Sequence, residues 1–312
     1  MSGSDAVPTT KLAHWQREPV VRMSWLMRVS GWLGLGLIAA LCGAAGLAAA
    51  GEIDVDELLN RAQAAELKGD RATALALADQ AVSAAPTNPQ CYYVRGRLYA
   101  NDGQHIKALA DFNKVLQLEP RAGQVYQFRG FERFRLGQLD AAIADFDKYL
   151  EFVPQQAAFH WQRGVACYLA GRYEAARRQF ELHRLVNSND VENAAWHFAA
   201  VARAEGLAAA RAALFTPVHD RRVPMSHLYL LLQGKAKPDD VLQAARAGQP
   251  PAAELKFRLF LAHYYIGLYH EATGAAGLAR EHILTAADQY APATYIGDVA
   301  RVHAQRYRAT SP

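Results

Sequence analysis

Cysteine is scarce in this chain. There are three in 312 residues, Cys42, Cys91 and Cys167, and no two stand at the Cys-x-x-Cys spacing of a zinc knuckle or a dithiol redox site. A disulfide framework is therefore not expected, and Cys91 and Cys167 read as buried, inert thiols. Period-two alternation of apolar and polar residues is missing over any stretch long enough to argue for a sheet. A phosphate-cradling loop is missing too: "QGKAKP" (233–238) lacks the first Gly and the Ser/Thr that the P-loop needs. No Gly-x-Ser-x-Gly nucleophile elbow occurs. One-signed charge is also lacking. The formal net charge is +4, with Lys and Arg spread along the chain, so nucleic-acid binding has no electrostatic footprint. No cofactor and no metal ligand set is expected from these features.

One long uncharged run is present. Arg17, Arg22 and Arg28 precede "VSGWLGLGLIAALCGAAGLAAA" (29–50), and the acidic "GEIDVDELL" follows at once. A basic start, an apolar middle and Ala48 and Ala50 at the end fit an export signal cleaved after about Ala50. The run is also long enough to cross a bilayer as an uncleaved anchor. Both readings place residues 51–312 outside the cytoplasm, with any membrane contact through 29–50. Met23 and Met27 are alternative starts. Cys42 does not read as a lipid-attachment cysteine, because Leu41 precedes it and apolar sequence continues for eight residues beyond it.

What the chain has is a repeat. Residues 94–112, 128–146 and 162–180 share a skeleton in strict register. Gly96, Gly130 and Gly164 are 34 apart, as are Gly103, Gly137 and Gly171. Ala108, Ala142 and Ala176 keep the same step, with Phe112, Phe146 and Phe180, and with Arg95, Arg129 and Arg163. Pro120 and Pro154 close two of the units. A 34-residue period with these columns identifies tetratricopeptide repeats, each an antiparallel helix pair. The first Gly is expected inside helix A, opposite the Ala of helix B. The second stops helix A in a left-handed conformation. The Phe fills the space between units. A weaker unit lies upstream at 55–86, with Gly69, Ala74 and Pro86 in register and Ala62 and Ala78 replacing Gly and Phe. Asn88 and Pro89 read as N-cap and first helical residue of the next unit.

Beyond residue 190 the register decays. Residues 191–215 still read as two helices around Trp196, and 223–247 as two short ones. Gly267, Gly274 and Ala279 then restore the pattern, with helix A starting near Ala253. Residues 293–308 form a last amphipathic helix whose polar face suits a solenoid cap. The expected fold is all-α, a right-handed solenoid of antiparallel helix pairs with a C-terminal capping helix. Its parts are 1–50 (signal or anchor), 51–190 (four repeats), 191–251 (degenerate repeats), 252–292 (final repeat) and 293–312 (cap and tail).

The order of parts, with "YLLLQGKAKPDDVLQAAR" (229–246), "ELKFRLFLAHYYIGLYHEATG" (254–274) and "AREHILTAADQY" (279–290), resembles the new-lipoprotein-I family of bacterial envelope proteins. The resemblance spans about residues 55–308. It implies a non-catalytic adaptor that joins cell-wall hydrolases and a processing protease, and a homodimeric state. The chain departs from that family at the lipid-attachment site.

Candidate functional residues follow from the repeat geometry. Helix A lines the concave face of such arrays. The positions expected to be open there carry Tyr93, Arg97, Gln127, Phe131, Phe134, Arg135, Trp161 and Tyr168, an aromatic strip bordered by Arg, suited to a peptide. Trp161 is expected to act as an anchor whose removal costs affinity and not stability. The Arg95, Arg129 and Arg163 column reads as pairing with acidic groups of adjacent helices, the alternative being an anion ladder. His263, His270, Glu271, Glu281 and His282 read as packing or surface groups. "HEATG" begins like a metalloprotease helix, but Gly274 stands where its second His would be. Two further function classes stay open at this point: a holding chaperone for exported proteins, and a metal-dependent hydrolase built on the C-terminal histidines.

Overall fold

The computed structural model describes residues 54–215 and 220–309. The segment expected to direct export, its expected cleavage site and Cys42 lie outside the described residues. Among the described residues there is no strand, and no helix is long and apolar enough to cross a membrane.

Four helix pairs come first: α1 (Val55–Leu67) with α2 (Arg71–Ala84), α3 (Pro89–Asn101) with α4 (His105–Leu118), α5 (Gly123–Arg135) with α6 (Leu139–Phe152), and α7 (Trp161–Leu169) with α8 (Tyr173–Arg184). Their ends are set by local chemistry. Asp54, Asp70 and Asn88 accept from backbone N–H groups at the starts of α1, α2 and α3, and Pro89 opens α3. The turn inside each pair holds a glycine at positive φ, +74° at Gly137 for example, which a β-carbon would strain.

The first glycine column has a different partner from the expected one. A β-carbon on Gly130 would stand 2.6 Å from the Phe146 ring, one on Gly164 2.8 Å from Phe180, and one on Gly96 3.0 Å from Phe112. The column admits the buried Phe of its own helix B, and the Ala of helix B is not the close neighbour. The Phe thus packs inside its unit as well as toward the next.

The arginine column resolves into ion pairs. Arg95 donates to both oxygens of Asp111 at 2.8 Å, 16 residues on, and to Asp79 at 2.9 Å, 16 residues back. Arg129 repeats this with Asp145 (2.9 and 2.7 Å) and Asn113 (3.0 Å). Arg163 keeps only the backward link, to Asp147, because Gln179 stands where the forward Asp would be. Arg95 and Arg129 therefore tie their own helix B to that of the preceding unit, while Arg163 links only back to the preceding one.

The fourth unit departs from the pattern. A 3₁₀ segment, Pro154–Phe159, replaces the usual link, and α7 is only nine residues long. Gln179 donates to the Ala157 carbonyl (2.7 Å) and His183 to that of Ala158 (2.9 Å), which holds the segment beside α8. Next come α9 (Val191–Glu205), buried along most of its length, and α10 (Leu207–Ala212), α11 (Met225–Leu232) and α12 (Pro238–Arg246). Trp196 is 2% exposed, as its helix pair predicts. The returning repeat is α13 (Ala252–Ala272) with α14 (Ala276–Thr285) and a π-helical turn, Ala286–Tyr290.

The last helix, α15 (Tyr295–Ala309), is more than a cap. Val299, Ala300, Val302, His303 and Ala304 are all buried. One side rests on α14 and the π-helical turn, and the other returns to α5 of the third repeat. A helix with two buried sides is a core element, so the expected polar outer face is reduced to a few positions such as Gln305 and Arg306.

Candidate functional site

The inner face of the array is built from α1, α3, α5 and α7. Its two halves are occupied differently.

At the third and fourth repeats the face is filled by the chain's own α15. The Tyr295 ring lies 5.4 Å from Phe131, 5.5 Å from Phe134 and 5.5 Å from Trp161, centroid to centroid. Arg135 donates to Asp298 of α15 at 2.9 Å and to Glu132 at 2.5 Å. Glu132 is itself 2% exposed and faces His105 Nδ1 at 2.7 Å. Tyr168 is 1% exposed and donates its hydroxyl to Glu271 at 2.9 Å. Glu271 also accepts from His303 (3.0 Å) and Tyr307 (2.5 Å) of α15. Burial alone would raise the Glu271 carboxyl, but the charge and hydrogen bonds from His303, Tyr307 and Tyr168 hold it down at about 2.

These contacts correct several expected site residues. Phe134 and Tyr168 are core residues, 0% and 1% exposed, and present no surface to a ligand. Arg135 is neutralised by two carboxylates. Phe131 and Trp161 are partly buried and face Tyr295. The physical reason is common to all five. Sequence periodicity identifies the inner side of a helix A but not what a helix more than 120 residues downstream lays upon it. Tyr295, Asp298, His303 and Tyr307 were the residues missed, and they are joined by Glu271 of α13, which the sequence had marked as a packing or surface group. Their signal was faint: Tyr, Asp and His on a helix whose other side is also apolar.

At the second repeat and the start of the third, the face keeps another character. Tyr93, Arg97 and Gln127 are half-buried. The Tyr93 ring meets Phe128 edge-on at 5.7 Å, and the Arg97 guanidinium lies 6.0 Å from both ring centroids. Gln124 donates to Gln127 at 2.6 Å. Asn101 donates to Glu66 at 2.5 Å, across to the first repeat. The half-buried Arg97 guanidinium thus sits beside two aromatic rings, an arrangement suited to a carboxylate or to backbone carbonyls.

Two other clusters lie away from this face. Arg222 is surrounded by Asp190, Glu192 and Asp220, and Tyr265 donates to Glu192 at 2.5 Å. Burial and the neighbouring carboxylates push Asp190 up to about 7, against the pull of Arg222. The second is the histidine group on α13 and α14. Glu271, adjacent to His270 in sequence, is committed to α15. Among the described residues no group of three or more His, Cys, Asp or Glu side chains is arranged to hold a metal ion. Cys91 and Cys167 are both 0% exposed, and burial raises both thiols, as inert core residues require.

Comparison with known proteins agrees with this architecture. The tetratricopeptide-repeat family profile matches residues 89–122, the α3–α4 unit. No curated protein matches the chain at a significant level. Among solved structures, a tetratricopeptide-repeat protein from Parabacteroides merdae is similar over 80% of this chain and 98% of its own, at 16% identity and a TM-score of 0.54. The C-terminal part of a repeat protein from Cytophaga hutchinsonii covers 77% of this chain and 98% of its own, at 16% identity and a TM-score of 0.49. YrrB, described as a repeat protein with an unusual peptide-binding site, covers 58% of this chain and 87% of its own, at 18% identity and a TM-score of 0.48. The chain is a tetratricopeptide-repeat protein, an α-solenoid of helix pairs.

Proposed function

We propose that this protein is a non-catalytic interaction scaffold of the bacterial cell envelope that docks a partner segment on the inner face of its first three repeats. The observation that carries the reading is the split inner face. Where α15 lies, the aromatic strip is consumed as core. At the second repeat and the start of the third, Tyr93, Arg97 and Gln127 stand ready with a cation beside an aromatic pair and an amide. Aromatic and Arg groups held rigid in advance lose little entropy on binding and are common energetic anchors.

The envelope location rests on the basic-then-apolar segment ending near Ala50, which is an export signal or a membrane anchor. The resemblance to the new-lipoprotein-I family supports cell-wall enzymes and proteases as partners, and a homodimer. Two measurements test the reading. Fractionation with N-terminal sequencing should find the chain in the envelope or periplasm, and recovery of intact Met1 in a soluble cytoplasmic fraction would overturn the location. Capture of partners by the wild-type chain, followed by affinity measurement, should show at least a tenfold loss in the Tyr93→Ala/Arg97→Ala double variant. Equal affinity in a folded double variant would remove the second repeat as the docking site.

A further inference from the structure

Three imidazoles stand in a row between the two helices of the returning repeat. His263 and His270 lie seven residues apart on α13, and His282 comes from α14 between them. The ring centroids of His263 and His282 are 5.0 Å apart, and those of His270 and His282 5.6 Å. His263 Nδ1 and His282 Nδ1 face each other at 3.1 Å. Tyr290 stacks on the other side of His263, with centroids 5.5 Å apart. His263 and His282 are half-buried, open enough for an ion and its water to enter, while His270 is 8% exposed.

We propose that His263 and His282 form a two-histidine site for a divalent first-row transition ion of the zinc, nickel or copper type, with water completing the shell. The geometry supports this directly. Two nitrogens each about 2.05 Å from one ion and 3.1 Å from each other subtend roughly 98° at it, between the octahedral and tetrahedral angles. Two rings sharing one ion stand with centroids roughly 5 Å apart, as these do. A transition ion would replace the single proton that now has to sit between two facing lone pairs. The surrounding charge is mixed. Asp239 of α12 and Glu281 of α14 act on His282, and Arg246 of α12 opposes from the His263 side.

An ion there would staple α13 to α14, the pair on which α15 rests. It would act as a structural clip and not as a hydrolytic centre, because Glu271 is turned to α15 and is not free to serve as its base. This inference stands apart from the groove reading.

The test uses the full chain, stripped with chelator, and titration calorimetry with zinc chloride and with nickel chloride. One saturable equivalent per chain is expected, with a rise in melting temperature, and both are lost or weakened at least tenfold in His282→Gln and in His263→Gln. A copper-loaded sample should show nitrogen hyperfine coupling in its paramagnetic resonance spectrum, reduced in either variant. Absence of saturable binding to the wild-type chain overturns the proposal. So does binding unchanged in a His263→Gln/His282→Gln double variant with a native circular dichroism spectrum, which would assign the ion to other histidines. If the double variant fails to fold, nitrogen coupling absent from the copper spectrum of the wild-type chain overturns the proposal equally.

Discussion

Replacing Tyr295 by Ala probes the return of α15 to the inner face. The side chain is 7% exposed and sits among Phe131, Phe134 and Trp161. Truncating a buried aromatic to Ala costs about 3–5 kcal/mol where the cavity cannot collapse. Aromatic pairs contribute about 0.5–1.5 kcal/mol each beyond area, and three are lost here. Tyr295 stands at the first position of α15, where a frayed end can close part of the cavity, so the lower part of that range, about 3 kcal/mol, is expected. For an array of this length that corresponds to a melting temperature lower by roughly 6–12 °C. Repeat arrays need not unfold as one unit, so a local probe is required as well. Trp161 supplies it. Its emission, isolated by difference against Trp161→Phe, should shift to the red as Tyr295 leaves. Urea denaturation and emission are measured on the same samples. A cost below about 1 kcal/mol together with unchanged Trp161 emission would mean that α15 does not lie on α5 and α7, and the split inner face would fall with it.

Four other outcomes follow from the same geometry. Trp161→Ala should lower the melting temperature, reversing the sequence expectation of a pure binding anchor; an unchanged melt with lost partner affinity would restore that expectation. Gly130→Ala should cost about 1–3 kcal/mol in urea denaturation, because its β-carbon would lie 2.6 Å from the Phe146 ring. Asp145→Ala should cost about 3 kcal/mol, since it strands Arg129 and Arg133 around a site 2% exposed, whereas Asp140→Ala, in a solvated pair with Arg172, should stay within about 0.5 kcal/mol. His160, 3% exposed, is pushed by burial down to about 4, below its ordinary 6.5. The unfolded chain then takes up the proton first, so stability falls as pH drops through 6.5 toward 4. Between pH 7 and pH 5 this one residue should remove about 2 kcal/mol, and His160→Phe should reduce the loss over that part of the urea-midpoint profile by about that amount, the other buried histidines keeping their share.

The repeats were legible because each column answers a local demand. A 34-residue step repeats one helix pair, so Gly96, Gly130 and Gly164 must all clear a Phe 16 residues on, and Arg95 and Arg129 must both meet an Asp at that same offset. The same offset could have told which side chain the glycine admits, since 16 residues ahead of it stands Phe and not Ala. The 3₁₀ segment at Pro154–Phe159 was not legible. Pro154 closes a normal unit, and the six residues after it carry no breaker. The site was half legible. Tyr93, Arg97 and Gln127 were placed by column alone, and they lie on the inner face as half-buried groups. Phe131, Phe134, Arg135, Trp161 and Tyr168 were placed by the same columns, but their exposure depends on Tyr295, Asp298 and Glu271, at separations no period encodes.

The column contents nevertheless explain where α15 stops. Reading one inner position along successive A helices gives Arg97, Phe131 and Val165; a second gives Tyr93, Gln127 and Trp161; a third gives Asn101, Arg135 and Leu169. The face therefore grades from cationic and amide groups at the second repeat to apolar ones at the fourth. A helix that brings Tyr295, Val299 and Val302 inward gains most by covering the apolar end, where burial releases water without stranding a charge. At the boundary it meets Arg135, and there it supplies Asp298, the carboxylate that makes burying that guanidinium tolerable. Advancing one repeat further would set it against Arg97 and Asn101, and the inward side of α15 offers only Asp298, already bound to Arg135. The gradient thus confines the intramolecular helix to the third and fourth repeats and leaves the polar half of the face uncovered by it. A partner that takes that half should bring what α15 lacks there: an acidic group for Arg97 and backbone or amide groups for Asn101 and Gln127.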